Sequence, residues 1–293
     1  MILSLMFLAP SFTVFAQVGI GTVSPRGELD LKSSTQGLVY PKVALTKTTV
    51  EAPVKNPNGS TFNLVAGTIV YNTGKTRSGS NDVYPGIYAW NGLIWQPQFY
   101  MEEYKRYAQT GGDQRTIIRQ NLSNPDPNFA DNVSGLSNIA FNPKYSGYYK
   151  IEVKTNYGAG KVKDFAVFDD ISLATAEGAF FFKLIGDGVV IDPSLAIYDA
   201  KQGWIYTHSY ASYNLTEGAN YIDDDEVAHY VTVIYYKYLK YGLPYTFTLS
   251  NCINMGDEYF LNNGDTGDGR GHIGREIPCS VEFTFVGTDN PQN

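Results

Sequence analysis

Short runs in which apolar and polar positions alternate fill this chain, and nearly every run is closed by glycine, proline, asparagine or aspartate. Leu29-Asp30-Leu31-Lys32 and Thr68-Ile69-Val70-Tyr71 show the two-residue period of a half-buried strand, whose successive side chains point to opposite faces. Asn91-Gly92, between Tyr88-Ala89-Trp90 and Leu93-Ile94-Trp95, is the strongest hairpin signal, because a tight turn needs residues that tolerate positive φ. Further along, "SGYYKIEVKTNYGAG" places Tyr149, Ile151 and Val153 on one strand face. "IAFNPKY", "GAFFFKLIGDGVVI", "GWIYTHSYASYNL", "AHYVTVIYYKYLKYGLPYTFTLS" and "CSVEFTFVG" continue the pattern at the spacing of a β-sandwich. The whole reads as all-β.

Between these blocks, residues 97–112 carry Phe99, Tyr100, Tyr104 and Tyr107 and end at Gly111-Gly112. This stretch reads as a linker or short helix, either the neck of a trimer or a helix packed on the domain that follows. The organisation expected is a signal peptide at 1–16, a short-stranded module at 17–96, the connecting piece at 97–112, a β-sandwich head at 113–288 and a tail at 289–293. Strands as short as those of the module cannot bury a core alone, so they need partner chains or wrapping strands.

The first residues follow a different rule. "ILSLMFLA", then Pro10, then Val14 and Ala16 before Gln17, have the apolar core and cleavage site of a secretory signal, too short to span a bilayer. A basic leader is absent, and a buried N-terminal strand or helix is the alternative. Gln17 is not a cysteine, so no acyl anchor is implied. The protein is therefore expected to be exported: periplasmic, cell-surface or extracellular. No later window reads as a transmembrane segment.

Composition narrows the function classes. With 29 acidic against 22 basic residues the net charge is −7, which argues against nucleic acid and anionic membrane surfaces as partners. The 23 tyrosines, 16 phenylalanines and 29 glycines suit strands joined by tight turns. Gly19-Ile20-Gly21 opens like a dinucleotide fingerprint, but its third glycine position is Ser24 and Pro25 follows, so the glycines read as backbone-geometry residues.

Chemistry-bearing patterns are sparse. His208, His229 and His272 lie in no metal-ligand spacing, and no G-x-S-x-G elbow is present, so the chain is not read as an enzyme. Cys252 and Cys279 are either a disulfide, which would constrain the unfolded chain by about 3 kcal/mol, or two buried free thiols. Asp223 and Asp225 in "YIDDDEVAHY", and Asp265 and Asp268 in "NNGDTGDGRGHIGRE", offer oxygens for calcium, or else form solvated acidic loops. Trp204, Tyr206, Tyr210 and Tyr213 are candidate platforms for sugars if they face outward.

Two resemblances follow from quoted residues. "QVGIGT", "LDLKSSTQGLVYPKV", "AGTIVYNTG" and "PGIYAWNGLIW" resemble the N-terminal module of exported Bacteroidota proteins, many of them tail-fibre-like or adhesin-like. That resemblance covers residues 17–96 and implies a secreted or surface protein without catalytic residues. Phe141, Pro143, Gly147 and Tyr149, with the closing "SVEFTFVG", are similar to the jelly-roll heads of the complement C-one-q and tumour-necrosis-factor type, in which "TAEGA" and "YIDDDEVAHY" would be insertions. Such heads imply a homotrimer with aromatic residues buried where three sheets meet; the alternative is that the tyrosines line solvated faces. The expected role is a trimeric fibre-tip or surface-assembly component that binds another surface protein or a glycan. A soluble envelope module that holds a carbohydrate or protein is the alternative, and a polysaccharide hydrolase comes third.

Overall fold

The computed structural model describes residues 17–59, 63–116, 118–121, 125–158, 171–194, 202–215, 222–254 and 271–292. Within them every helix or strand assigned is a strand, as the alternation predicts. The chain divides into two compact units, Met1–Lys42 and Val43–Asn293. The expected signal peptide lies outside the described residues.

In the first unit β1 (Val18–Ile20) and β2 (Leu29–Leu31) form a parallel pair in the register Val18↔Leu29 and Ile20↔Leu31. Gly21 explains the opening glycines: its φ is +78°, and a Cβ there would sit 2.1 Å from the Lys32 carbonyl oxygen. Only glycine permits that approach, which lets Lys32 N–H donate to the Ile20 carbonyl at 2.9 Å. The glycines serve backbone pairing, not a phosphate.

The second unit begins with a four-stranded sheet in the order β3 (Lys42–Val43), β4 (Ile69–Asn72), β5 (Gly86–Trp90) and β6 (Trp95–Pro97). Its core holds Leu45, Leu64, Val70, Val83, Tyr88, Trp90 and Trp95. The alternation of β4 turns Val70 and Asn72 inward. Buried Asn72 is satisfied at both ends: its Oδ1 accepts from Leu45 N–H and Gly74 N–H, and its Nδ2 donates to the carbonyls of Gly74 and Tyr84. The hairpin expected at Asn91-Gly92 is present but wider than a two-residue turn. Trp90 pairs with Trp95, and Asn91 Oδ1 accepts from the N–H groups of Leu93 and Ile94, so the side chain builds the bend.

The remaining elements are β7 (Tyr104–Ala108), β8 (Gln114–Arg115), β9 (Arg119–Gln120), β10 (Asp131–Asn132), β11 (Ile139–Phe141), β12 (Gly147–Gly158) and β13 (Ile171–Gly186). They are followed by β14 (Val189–Ile191), β15 (Trp204–Leu215), β16 (Ile222–Val227), β17 (His229–Leu239), β18 (Tyr245–Asn254), β19 (His272–Ile273) and β20 (Ser280–Gly287). The longer pairings nest. β7 pairs with β20, β11 with β18, β12 with β17 and β13 with β15, while β12 also pairs with β20 and β13 with β18. An antiparallel ribbon folded over in this way gives two sheets, β7-β20-β12-β17 and β11-β18-β13-β15, which is a jelly roll. Phe141, Tyr149, Ile151, Val153, Phe180, Phe182, Phe247, Val281 and Phe283 fill the space between the sheets.

Three expectations change. Residues 104–108, read as linker or helix, are the strand β7, because its alternation meets the last strand: Tyr107 turns into the core against Phe247 and Phe283, and Arg106 turns to the other face. "TAEGA" is not an inserted loop but the interior of the 16-residue β13. The run Asp223–Glu226 is likewise a strand, β16, added to β15 at the sheet edge.

Candidate functional site

Among the described residues, two surfaces stand out by their exposed large apolar and aromatic side chains. In residues 17–42 not one side chain is buried, and Val18, Ile20, Val23, Leu29, Leu31, Leu38 and Val39 are all exposed. Strands of the sequences Val-Gly-Ile and Leu-Asp-Leu with this much exposed apolar surface have the character of an interaction surface.

The second surface is the outer face of β7-β20-β12-β17. Tyr149, Ile151 and Val153 point inward at 0% exposure, so Tyr148, Lys150, Glu152 and Lys154 stand on the opposite side. Cross-strand register sets Glu152 beside Ile234 and Lys154 beside Thr232. Tyr104, Tyr230, Ile234 and Val286 are exposed here. At the centre Glu282 is almost wholly covered, yet fully engaged. It takes Lys154 Nζ at 2.9 Å, the Tyr104 hydroxyl at 3.1 Å, Arg106 Nε at 3.3 Å and Ser280 Oγ at 3.1 Å. Burial pushes its carboxyl up, and the Lys154, Tyr104 and Ser280 contacts outweigh that, leaving it below the usual range.

Where the short-stranded body meets the head within the second unit, Asp82 gathers five donors. They are Thr76 Oγ1 at 2.8 Å, Ser78 N–H at 2.7 Å, Ser78 Oγ at 2.9 Å, Gly79 N–H at 3.1 Å and, from the head, Ser146 Oγ at 2.6 Å. Ser146 N–H donates to the Tyr84 hydroxyl at 2.7 Å, and Tyr84 packs edge-on against Tyr145 and Tyr241. Lys75 Nζ lies 4.2 Å, and the Arg77 guanidinium carbon 5.2 Å, from the centre of the Tyr241 ring. Sequence reading passed over this group. Its members fall in separate segments, and no spacing joins residues 75–84 to 145–146 and 241.

The residues singled out from sequence are dispersed. Cys252 packs with Ala179 and Phe181 on one sheet, and Cys279 lies in the main core; both are buried free thiols, so the disulfide is not formed. Burial pushes the two thiols up to about 12 and about 11. Trp204 is half-buried, edge-on to Phe181, with Nε1 donating to the Pro193 carbonyl at 2.7 Å, while the neighbouring Tyr206 is 54% exposed. Tyr210 and Tyr213 lie on β15 in register with Val227 and Asp224. Asp223 and Asp225 pair by backbone with Asn214 and Ser212 in a regular ladder, not in a turn-rich loop. Asp265 and Asp268 lie outside the described residues. Among the described residues no group of three or more His, Cys, Asp or Glu side chains is placed to hold a metal.

One polar pair, a buried histidine against an exposed aspartate, was not anticipated. His272, at 2% exposure, has Nδ1 2.5 Å from Asp113 Oδ2, and its Nε2 lies 3.4 Å from an Arg275 guanidinium nitrogen. The two ring nitrogens thus face a carboxylate oxygen on one side and a guanidinium nitrogen on the other. The two residues stand 159 positions apart, beyond the reach of any spacing motif.

Comparison with known proteins adds three findings. Residues 19–110 match the family described as the phage tail like trimerisation region, from β1 through β7. No curated protein matches the chain. Among solved structures the chain is similar to the Eiger TNF of S. frugiperda, at 8% identity and a TM-score of 0.28, over 66% of this chain and 98% of that one. At that score the jelly-roll assignment rests on the strand order and not on the likeness. No helix among the described residues is long and apolar enough to cross a membrane.

Proposed function

We propose that this protein is an exported, homotrimeric structural or adhesive component of the cell surface, a fibre tip or assembly element whose head engages a surface protein or a glycan. The observation that carries the reading is residues 17–42: seven exposed large apolar side chains, no buried residue, and a position at the start of the 19–110 match to a region described by trimerisation. Three copies wound together would cover those side chains, each contributing about 1.5–3 kcal/mol when fully buried. The β7-β20-β12-β17 face supports the same reading. β7 belongs both to the matched region and to that sheet, so the matched region ends on a face that exposes Tyr104, Tyr230 and Ile234. Its exposed tyrosines are a residue type enriched at subunit contacts. Nothing in this role requires catalysis.

The test is the solution mass of residues 17–293 by light scattering, with and without a calcium chelator. A chelator-insensitive trimer is expected. A stable monomer at micromolar concentration would sink the reading.

A further inference from the structure

We propose that Lys75, Arg77 and Tyr241 form a binding site for the acid groups of a carboxylated or sulfated polysaccharide. Lys75 and Arg77 are exposed, yet both lean on one ring, with Lys75 Nζ 4.2 Å and the Arg77 guanidinium carbon 5.2 Å from its centroid. Among the described residues neither forms an ion pair with a carboxylate, in a chain whose net charge is −7. The nearby acids are engaged elsewhere: Asp187 holds Lys240 at 2.6 Å, and Asp82 faces its five hydroxyl and backbone donors. A second cation of this kind, Lys144, lies 5.0 Å from the centre of the Tyr145 ring, which Tyr84 links to Tyr241.

Arg77 is packed in place before any ligand arrives. Arg77 lies across Gly242, where a Cβ would come 3.0 Å from its Nε, and the Lys240 stem crosses Gly79 so closely that a Cβ there would meet its Cδ at 2.8 Å. Tyr241 N–H donates to Ser146 Oγ at 2.9 Å, which ties the ring to the Asp82 group. Lys75 foremost, and Arg77 after it, draw the Tyr241 phenol below its ordinary range, so both charges are felt at one point. A guanidinium, an ammonium and a phenol hydroxyl gathered there match the oxygens of a carboxylate or sulfate ester, and the phenol can also serve a sugar hydroxyl.

An acidic peptide is the other polyanion to consider. Peptides are captured by an open strand edge, by apolar anchor pockets or, where they are acidic, by clusters of arginines, and this site holds a single arginine. None of the exposed large apolar side chains falls within residues 75–85, 143–146 or 240–244, so the surface offers charge and hydroxyls without an anchor. That favours the polysaccharide.

The site lies within one chain, so it deepens the adhesive part of the proposed function without depending on the trimer. The purified protein is passed over immobilised polygalacturonate, dextran sulfate, neutral dextran and poly-glutamate at low salt, and its scattering mass is recorded in parallel. Binding to polygalacturonate, to dextran sulfate or to both is expected, and which of them binds identifies carboxylate or sulfate as the acid group. K75A/R77A is expected to weaken binding at least tenfold, Tyr241→Phe by about threefold, and the conservative K75R/R77K to restore it. K47A/K55A, which removes the same charge from other exposed positions, is expected to leave binding within twofold. Retention by neither acidic polysaccharide would overturn the proposal. So would equal retention by poly-glutamate, or an equal loss in K47A/K55A. A monomer that still binds the polymer would sink the trimeric reading alone.

Discussion

Replacing Asp82 tests whether the short-stranded body and the head fold as one piece. In Asp82→Ala the hydroxyls of Thr76, Ser78 and Ser146 can rotate toward other acceptors, but the N–H groups of Ser78 and Gly79 are fixed by the backbone and lose their partner. The orphaned Gly79 donor is buried and costs about 1–3 kcal/mol, the part-exposed Ser78 donor costs less, and the lost charged bond to Ser146 adds to both, for a total of about 4 kcal/mol. For a unit of this size that is a fall in Tm of roughly 8–16 °C, read by calorimetry at fixed protein concentration because assembly makes Tm concentration-dependent. Acid supplies an independent arm. Burial raises the Asp82 carboxyl and its donors more than reverse this, holding it below the ordinary 3.8. Its contribution is therefore complete above pH 3.8 and disappears as pH falls through the lower folded value. The stability gap between the wild type and Asp82→Asn should be constant from pH 7 to about 5 and close below 3.8. A destabilisation under about 1 kcal/mol, or two separate melting transitions in the wild type, would refute the reasoning.

Further outcomes follow from the same geometry. Glu282, also depressed by its partners, should stabilise the protein above pH 4.5 and lose that effect as pH falls further, so Glu282→Gln should flatten the acid limb of a pH–stability curve. Ile234→Asp, placed on the outer face beside Glu152, should lower the scattering mass from trimer toward monomer while leaving the circular dichroism of the head unchanged. Cys252 and Cys279 should resist a thiol reagent in the native protein and react fully in denaturant, without a mobility change on reduction. Gly21→Ala should break the β1–β2 pair through its clash with the Lys32 carbonyl, and should reduce assembly in the same scattering experiment.

Strands were legible wherever one face is buried. Tyr149, Ile151 and Val153 all reach 0% exposure as their spacing predicts, and Trp90 and Trp95 flank the bend that Asn91-Gly92 announced. Failures came where the pattern alone does not decide. Tyr104–Ala108 looks like one face of a helix because Phe99, Tyr100, Tyr104 and Tyr107 recur at three and four residues, but its partner strand lies at residues 280–284 and only tertiary pairing chooses the extended form. Gly178 inside β13 looked like part of a loop, yet the absent side chain makes room for the Tyr157 ring, whose carbons would stand 3.1 Å from a Cβ there. The Lys75–Arg77–Tyr241 group was invisible for a different reason. Each residue taken alone is an ordinary exposed side chain, and only the meeting of body and head brings them together.

The nested pairing of the head also sets a timetable. β7, whose pairing is completed last, waits for residues 280–284, so a chain that has not yet been made that far has no partner for either its first head strand or the β20-facing edge of β12. Closing so many contacts across long stretches of sequence is slow, and the open edges are sticky while it lasts. A chain that stops short of Ser280 is therefore left with two unsatisfied edges and no remedy within itself, whereas a complete one stays slack until its final strand arrives and then closes as a whole.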